Sequence, residues 1–386
     1  MTKVKDIREV ESAFLLVLRE DIKRDEVNKR IEKFNNYDWQ ILYSFVVKSG
    51  LFPLFYTRLL NLKLKNIPLE FVSKLKNLYL LNLNRNLILE QELLRIVAHL
   101  ERSKLPVIPI KGPALARFLY NDLALRQASC DLDLLIKYER IKEAETRLFE
   151  LGYFLTSVEY KQDFLQPAHL AGSIMQAQVF KPAGESAAVN LDLHWCIRGF
   201  FLDNQIQELW NNARWVNLDG KKILMLSNED LIIYLSLISI SLLEFVQLKY
   251  LYDIHQLITI FGNKLNWEKV VWKAKQLGLN FCLYFPLKLS QQLFLTDIPK
   301  DFLADITPPW MSRKLISLWL NENNILTLRR DYKTGLPLRI LMGRYFYSNN
   351  LNDFLKKSCL KILKGVAKNA GLNRIEKEPR YRYAHN

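Results

Sequence analysis

Apolar and polar positions follow different repeats in different parts of this chain. Over residues 1–104 the apolar residues recur every three or four positions, which predicts helices. The segment DWQILYSFVVKSGLFPLFYTRLL is expected to form two helices separated at Gly50 and Pro53. A long amphipathic helix is predicted to start at Pro68 and to end near Ser103. The first 104 residues therefore predict an N-terminal helical region.

The pattern changes at Leu105, where short apolar runs begin to alternate with short helical segments. LPVIPI, DLDLLIK, SIMQAQVF and AAVNLDLHWCI have the composition or the alternation of strands. ALARFLY and the segment from Tyr138 to Gly152 have helical spacing. Strands that alternate with short helices indicate an α/β or α+β core over about residues 105–200.

Helical spacing returns after the core, and residues 201–370 predict a C-terminal helical region. The longest apolar run, from Leu231 to Val246, is interrupted by serines and a glutamate, so we expect a buried helix that continues to LKYLYDIHQLITIF. Ser227 is its expected N-cap. Residues 371–386 are expected to form a basic, flexible tail. The overall expectation is an α+β protein whose small mixed-sheet core is flanked by helices on both sides.

Composition and charge narrow the class of protein. Lys and Arg outnumber Asp and Glu by 55 to 40, which gives a net charge of +15 and favours an anionic partner, although a generic basic surface explains the charge equally well. The 49% hydrophobic content is enough for a substantial core. The four cysteines form no CxxC pair, so a reducing cytoplasm is expected and a zinc site or disulfide framework is not. Neither a signal peptide nor a membrane span is expected.

Two strands carry carboxylates within otherwise apolar runs. Because side chains alternate along a strand, Asp131 and Asp133 project from one face of SCDLDLLI. In NLDLHW, Asn190, Asp192 and His194 share one face in the same way. Asp-x-Asp alone is also common at solvated strand edges. If the two strands are neighbours, however, three carboxylates converge and can hold two metal ions that activate a hydroxyl and stabilise a leaving pyrophosphate.

A glycine turn precedes these strands. Lys111-Gly112 follows one strand and precedes a helix, an arrangement in which backbone N–H groups and the helix N-terminus can approach phosphate. Lys111 offers a point charge to a triphosphate, and Arg126 a planar guanidinium. Pro113 has no N–H to donate, so Lys111 is expected to substitute for part of a backbone cradle.

The order IKGPALARFLY, LALRQASCDLDLLI, VNLDLHW resembles the bacterial uncharacterised nucleotidyltransferases of the DNA polymerase β-like superfamily. The similarity also takes in SGLFPLFYTRLL and LKYLYDIHQLI, so it spans roughly residues 50–260. This resemblance implies that the metal-binding set is Asp131, Asp133 and Asp192. It also implies that the side facing the triphosphate is formed by Lys111, Gly112 and Arg126.

The predicted activity is therefore metal-dependent transfer of a nucleoside monophosphate from a nucleoside triphosphate to an acceptor hydroxyl, with release of pyrophosphate. Mg²⁺ or Mn²⁺ is the expected cofactor and ATP the default donor, while the acceptor is left open between a small molecule, a peptide or protein, and RNA. Two alternatives remain: a non-catalytic module that binds nucleotide or RNA, and a helical scaffold protein. A kinase is disfavoured because no glycine-rich P-loop is present.

Three further residues are candidates for contact with the substrate. His194 either orients a ligand or contacts the acceptor, or is simply a hydrogen-bonded strand histidine. Lys249 and Asp253 are four positions apart on a predicted helix, which favours an ion pair between them. In the functional alternative, Asp253 would face the cleft and bind the acceptor.

Overall fold

The N-terminal region, described from residue 7 onward, contains five helices. The computed structural model describes residues 7–162, 174–182, 189–197, 203–241, 245–310 and 313–314. The first helices are α1 (Ile7–Leu18), α2 (Arg24–Ile31), α3 (Asn36–Ser49), α4 (Phe52–Leu62) and α5 (Leu69–Arg102). The predicted break between two helices is confirmed: α3 ends at Gly50, whose φ is 74°, and Pro53 lies in the first turn of α4.

Helix α5 is the long amphipathic helix that the leucine spacing predicts. It begins directly after Pro68 and extends over 34 residues. One face is buried against the core through apolar residues that include Leu75, Leu89 and Leu100. The same buried face carries two asparagines, Asn82 and Asn86, and these face the loop that leads into the sheet.

The central sheet is mixed and has five strands in the order β1-β2-β5-β4-β3. Strands β2 and β5 are parallel, and the other neighbouring pairs are antiparallel. The strands are β1 (Ile108–Pro109), β2 (Asp131–Leu135), β3 (Tyr153–Gln162), β4 (Ile174–Pro182) and β5 (Asn190–His194), and the intervening helices are α6 (Pro113–Tyr120) and α7 (Ile141–Glu150). This arrangement confirms the α+β fold class and the four predicted strands. Strand β3 was not predicted.

Where the structure describes the C-terminal region, it contains helices and two short antiparallel strand pairs. Its elements are α8 (Asp203–Asn212), β6 (Arg214–Leu218), β7 (Lys221–Met225), α9 (Asn228–Ser239), β8 (Ile240–Ser241), β9 (Phe245–Val246), α10 (Leu248–Phe261), α11 (Trp267–Leu277), α12 (Asn280–Phe294) and α13 (Lys300–Asp305). Strands β6 and β7 are joined by Asp219 and Gly220, which both have positive φ, as a tight hairpin requires. The predicted tail, residues 371–386, lies outside the described residues.

The prediction of one continuous helix after Ser227 is wrong. Helix α9 does begin there, with the Ser227 hydroxyl accepting from the Asp230 N–H, but it ends at Ser239. The hydroxyls of Ser236 and Ser239 donate to carbonyls one turn earlier, which competes with the backbone bonds of a helix. Strands β8 and β9 then separate α9 from α10. No helix among the described residues has both the length and the apolar character needed to cross a bilayer.

Candidate functional site

The parallel pairing of β2 and β5 brings the predicted carboxylates together. Asp131 lies opposite Asn190, and Asp133 lies opposite Asp192. The alternating residues of both strands, Leu132, Leu134, Leu191 and Leu193, are buried in the core. The predicted neighbourhood of the two strands is therefore confirmed, and their period-two pattern places the acidic side chains on one face of the sheet.

Asp133 is the buried centre of this face, with 5% of its surface exposed. Its Oδ1 accepts a hydrogen bond from Lys111 Nζ at 2.9 Å and lies 3.0 Å from His194 Nε2. Burial alone would raise the pKa of the Asp133 carboxyl. The Lys111 charge and the contacts with His194 and Lys111 outweigh it and hold that pKa well below its usual range. Asp133 is thus a carboxylate in the folded protein.

Three side chains at this centre fit a divalent cation. One ligand atom from each of Asp133, Asp192 and His194 lies within 4.8 Å of the others. Carboxylate oxygens and an imidazole nitrogen are common ligands of divalent metals. Asp131 shares the face but is half-buried one strand repeat away, and burial and the neighbouring Asp133 charge raise the pKa of its carboxyl. The predicted role of Asp131 stays a prediction.

The turn at Gly112 is closely packed beside β2. Gly112 has φ 71° and ψ −143° and directly precedes α6, with Pro113 as the first helical residue. A Cβ at position 112 would lie 3.2 Å from the hydroxyl oxygen of Ser129. That hydroxyl donates to the carbonyl of Asp131 at 2.6 Å. The glycine thereby allows the turn to approach the start of the strand that carries the carboxylates.

Arg126 is placed differently from the prediction that it faces a triphosphate. Its guanidinium is 4% exposed and forms a buried ion pair with Asp253, with Nε and Nη2 2.9–3.1 Å from the carboxylate oxygens. Arg126 Nη1 also reaches the carbonyl of Gly112 at 3.5 Å, and Tyr120 donates to Asp253 at 2.7 Å. The guanidinium therefore fixes the turn to α10.

The expected pairing of Lys249 with Asp253 is corrected by the same contacts. The Asp253 side chain is fully buried and is held by Arg126 and Tyr120. Lys249, one turn earlier on α10, places its Nζ 5.0 Å from the centre of the Tyr250 ring. Burial, and then the nearby Arg126 charge, lower the pKa of the Lys249 amine. Local spacing predicts the i,i+4 pair, but the distant arginine offers Asp253 a planar two-point contact.

Side chains of α5 position the loop before β2, and the sequence interpretation did not include them. Asn82 and Asn86 are buried, and their hydrogen bonds of 2.8–3.1 Å hold the carbonyls of Leu123, Ala124 and Arg126 and the N–H of Ala128. Arg85 donates to the carbonyl of Cys130 at 2.7 Å. Two asparagines four positions apart on the apolar face of a helix are the signal that could have identified them.

The family comparison agrees with the resemblance seen in the sequence. A family model described as Uncharacterised nucleotidyltransferase matches residues 35–295 of the chain. No curated protein matches the sequence.

Three solved structures are similar to parts of this chain. The crystal structure of ANT(2″)-Ia in complex with adenylyl-2″-tobramycin has 16% identity and a TM-score of 0.32, and covers 48% of this chain and 95% of its own. An antigenic nucleotidyltransferase-like protein from Paracoccidioides brasiliensis has 18% identity and a TM-score of 0.29, covering 42% and 72%. JHP933 from Helicobacter pylori has 15% identity and a TM-score of 0.28, covering 72% and 96%.

Proposed function

Because the chain belongs to the uncharacterised nucleotidyltransferase family, we propose that it transfers a nucleoside monophosphate from a nucleoside triphosphate to an acceptor hydroxyl. ATP is the proposed donor. The observation that carries the proposal is the parallel register of β2 and β5, which places Asp133 beside Asp192 with Lys111 on the same carboxylate. Binding a metal-bound triphosphate requires carboxylates that hold the metal ions and a cationic side chain, here Lys111, that neutralises phosphate charge.

The proposed reaction is a displacement at phosphorus. The acceptor oxygen forms a bond to the α-phosphorus, and the bond from the α-phosphorus to the oxygen that bridges to the β-phosphate breaks. Pyrophosphate leaves with that oxygen, and the hydroxyl proton passes to a carboxylate or to water. When bound, Mg²⁺ or Mn²⁺ would supply Lewis acidity and neutralise developing charge.

The residues of the chain position the reactants. Asp131, Asp133 and Asp192 are proposed to hold the metal ions, with Asp192 on the acceptor side. Lys111, whose side chain is 27% exposed, is proposed to bring its ammonium to the triphosphate beside the Gly112 turn. Lys111 would then donate a hydrogen bond to phosphate at this turn, which the backbone of Pro113 cannot do because proline lacks an N–H.

The other predicted residues act around this centre. Arg126 is proposed to act on the nucleotide indirectly, by holding the Gly112 turn in place. Its guanidinium contacts the Gly112 carbonyl and is otherwise paired with Asp253. Lys249, whose amine has its pKa lowered by burial and by the nearby charges of Arg126 and Lys111, is proposed to contact an anionic part of the substrate. Asp253 is proposed to position Arg126 rather than to bind the acceptor.

The first test is transfer of label from each α-³²P-labelled nucleoside triphosphate, with Mg²⁺ or Mn²⁺ and total RNA or cell lysate as the source of acceptor. Asp133→Asn removes the central charge, and we expect transfer to fall on the order of 100-fold or more. Asp219→Asn is the matched control, because Asp219 is an exposed turn residue. The size of the labelled product distinguishes RNA, protein and small acceptors. Equal transfer by D133N and D219N would overturn the proposal.

A further inference from the structure

One buried nitrogen of the His194 imidazole has no hydrogen-bond partner within the described part of the chain. The residue is 5% exposed, and its Nε2 lies 3.0 Å from Oδ1 of Asp133. Its Nδ1 is buried and makes no hydrogen bond to any described residue. Buried polar atoms in folded proteins are nearly always hydrogen-bonded. A histidine with a purely structural role in the strand would therefore be expected to form hydrogen bonds through both ring nitrogens.

The nitrogen of this imidazole that faces the carboxylates is the other one, Nε2. His194 extends from the same face of β5 as Asp192 and reaches the carboxylate of Asp133 on β2. These are the three residues whose ligand atoms lie within 4.8 Å of one another. We infer that His194 is a nitrogen ligand of the divalent cation, which forms a mixed nitrogen and oxygen site with Asp133 and Asp192. This inference rests on the proposed function, in which the cation is held by carboxylates alone.

A nitrogen ligand changes which metal the site prefers. Mg²⁺ binds oxygen ligands almost exclusively and keeps several waters, whereas imidazole suits first-row transition metals. The two carboxylates keep the site acceptable to Mn²⁺, which binds oxygen and nitrogen ligands. The inferred site therefore selects a divalent transition metal of the Mn²⁺ type over Mg²⁺.

Electron spin echo measurements on bound Mn²⁺ test the ligand directly. The metal-free full-length protein is loaded with a substoichiometric amount of Mn²⁺, and modulation from directly bound ¹⁴N is recorded. His194→Gln keeps a side-chain donor near Asp133 but removes the imidazole. The matched control is His99→Gln, because His99 forms the same kind of contact, 3.0 Å from Glu150, on an exposed surface elsewhere.

The expected result is imidazole ¹⁴N modulation in the wild-type protein and in H99Q, and its loss in H194Q. Mn²⁺ affinity should also fall about 10-fold or more in H194Q, while Mg²⁺ affinity changes little. If H194Q does not fold, the triple variant His99→Gln, His169→Gln and His385→Gln retains only His194 and His255. Adding His255→Gln to this variant leaves His194 as its only histidine, so imidazole modulation that is unchanged by the addition reports His194.

Two results separate this inference from the proposed function. Bound Mn²⁺ without ¹⁴N modulation, or modulation that persists in folded H194Q, overturns the nitrogen ligand even if label transfer proceeds with Mg²⁺. Nitrogen-coupled Mn²⁺ in a protein that transfers no label supports the ligand and counts against the reaction. Failure to bind Mn²⁺, with or without nucleoside triphosphate, overturns the mixed site.

Discussion

At the scale of single residues, the Gly112 turn combines an unusual backbone conformation with close packing. Its φ of 71° and ψ of −143° lie near a region that is essentially restricted to glycine. The space beside its Cα is also limited by the Ser129 hydroxyl, 3.2 Å from where a Cβ would lie. Backbone strain and packing therefore both select glycine beside the carboxylates.

Gly112→Ala should lower the free energy of unfolding by about 2–3 kcal/mol, because alanine is strained there and Ser129 must shift. Gly152→Ala is the control: Gly152 has φ 83°, but nothing lies within 4 Å of its added Cβ, so about 1 kcal/mol is expected from conformation alone. Urea unfolding of both variants gives the comparison. Equal losses would show that the contact with Ser129 contributes nothing.

The sequence predicts the chemistry of single residues better than their partners. Period-two alternation is enough to place Asp131 with Asp133 and Asp192 with His194, because a strand leaves no other choice of face. The Lys111 contact with Asp133 joins residues 22 positions apart, and the Arg126 contact with Asp253 joins residues 127 apart. Such contacts depend on how the helices and strands pack together, so the spacing of residues along the sequence does not predict them.

At the scale of elements, α5 serves as a template for the loop that enters β2. Asn82 uses its amide to bind the carbonyls of Ala124 and Arg126 and accepts from the N–H of Ala128. The loop has one short 3-10 helix of its own, Leu123–Leu125, and the side chains of α5 satisfy further backbone groups of the loop at low exposure. The helix thereby determines where Asp131 and the strand begin.

Asn82→Ala should reduce the free energy of unfolding by about 3 kcal/mol, because it removes three hydrogen bonds from the loop, and of the three backbone groups only the Arg126 carbonyl keeps a second partner on α5, Asn86. Asn84→Ala is the control, since Asn84 is exposed on the same helix. Hydrogen exchange of the Ala128 amide should accelerate in N82A and remain slow in N84A. An unchanged Ala128 exchange rate in N82A would contradict the role of α5 in holding the loop.

Elements were predicted well where a single repeat dominates and poorly where two repeats overlap. Helix α5 and strands β2 and β5 have clear periods of 3.6 and 2. The ISIS segment at Ile238–Ser241 alternates between apolar and polar residues, but the residues around it have helical spacing. The sequence therefore predicts one helix where the structure has α9, β8, β9 and α10. Tyr153–Gln162 mixes aromatic, β-branched and charged residues, and it becomes β3 by pairing with β4.

At the scale of the whole molecule, the buried Arg126–Asp253 pair connects the sheet region with the C-terminal helices. Arg126 lies in the loop before β2 and contacts the Gly112 carbonyl, while Asp253 belongs to α10. Tyr120 at the end of α6 donates to the same carboxylate. Three separate segments thus meet at one carboxylate that is fully buried.

Asp253→Asn should reduce the free energy of unfolding by about 3–5 kcal/mol, because the guanidinium would remain buried without its countercharge. The triple variant Tyr120→Phe, Arg126→Met and Asp253→Leu removes the charges together with the hydroxyl that binds them. It should be more stable than D253N, since a buried ion pair can be replaced by apolar side chains at little cost. Urea unfolding measures both.

Stability and nucleotide binding should then separate in the triple variant. Its core is expected to be restored, but the Gly112 carbonyl loses the Arg126 contact, so the turn is free to shift relative to Asp133. We therefore expect the triple variant to bind nucleoside triphosphate more weakly than the wild-type protein by roughly 10-fold, the size of a typical coupling energy. Calorimetric titration checks this. Wild-type affinity in a folded triple variant would mean that the ion pair stabilises the fold without positioning the turn.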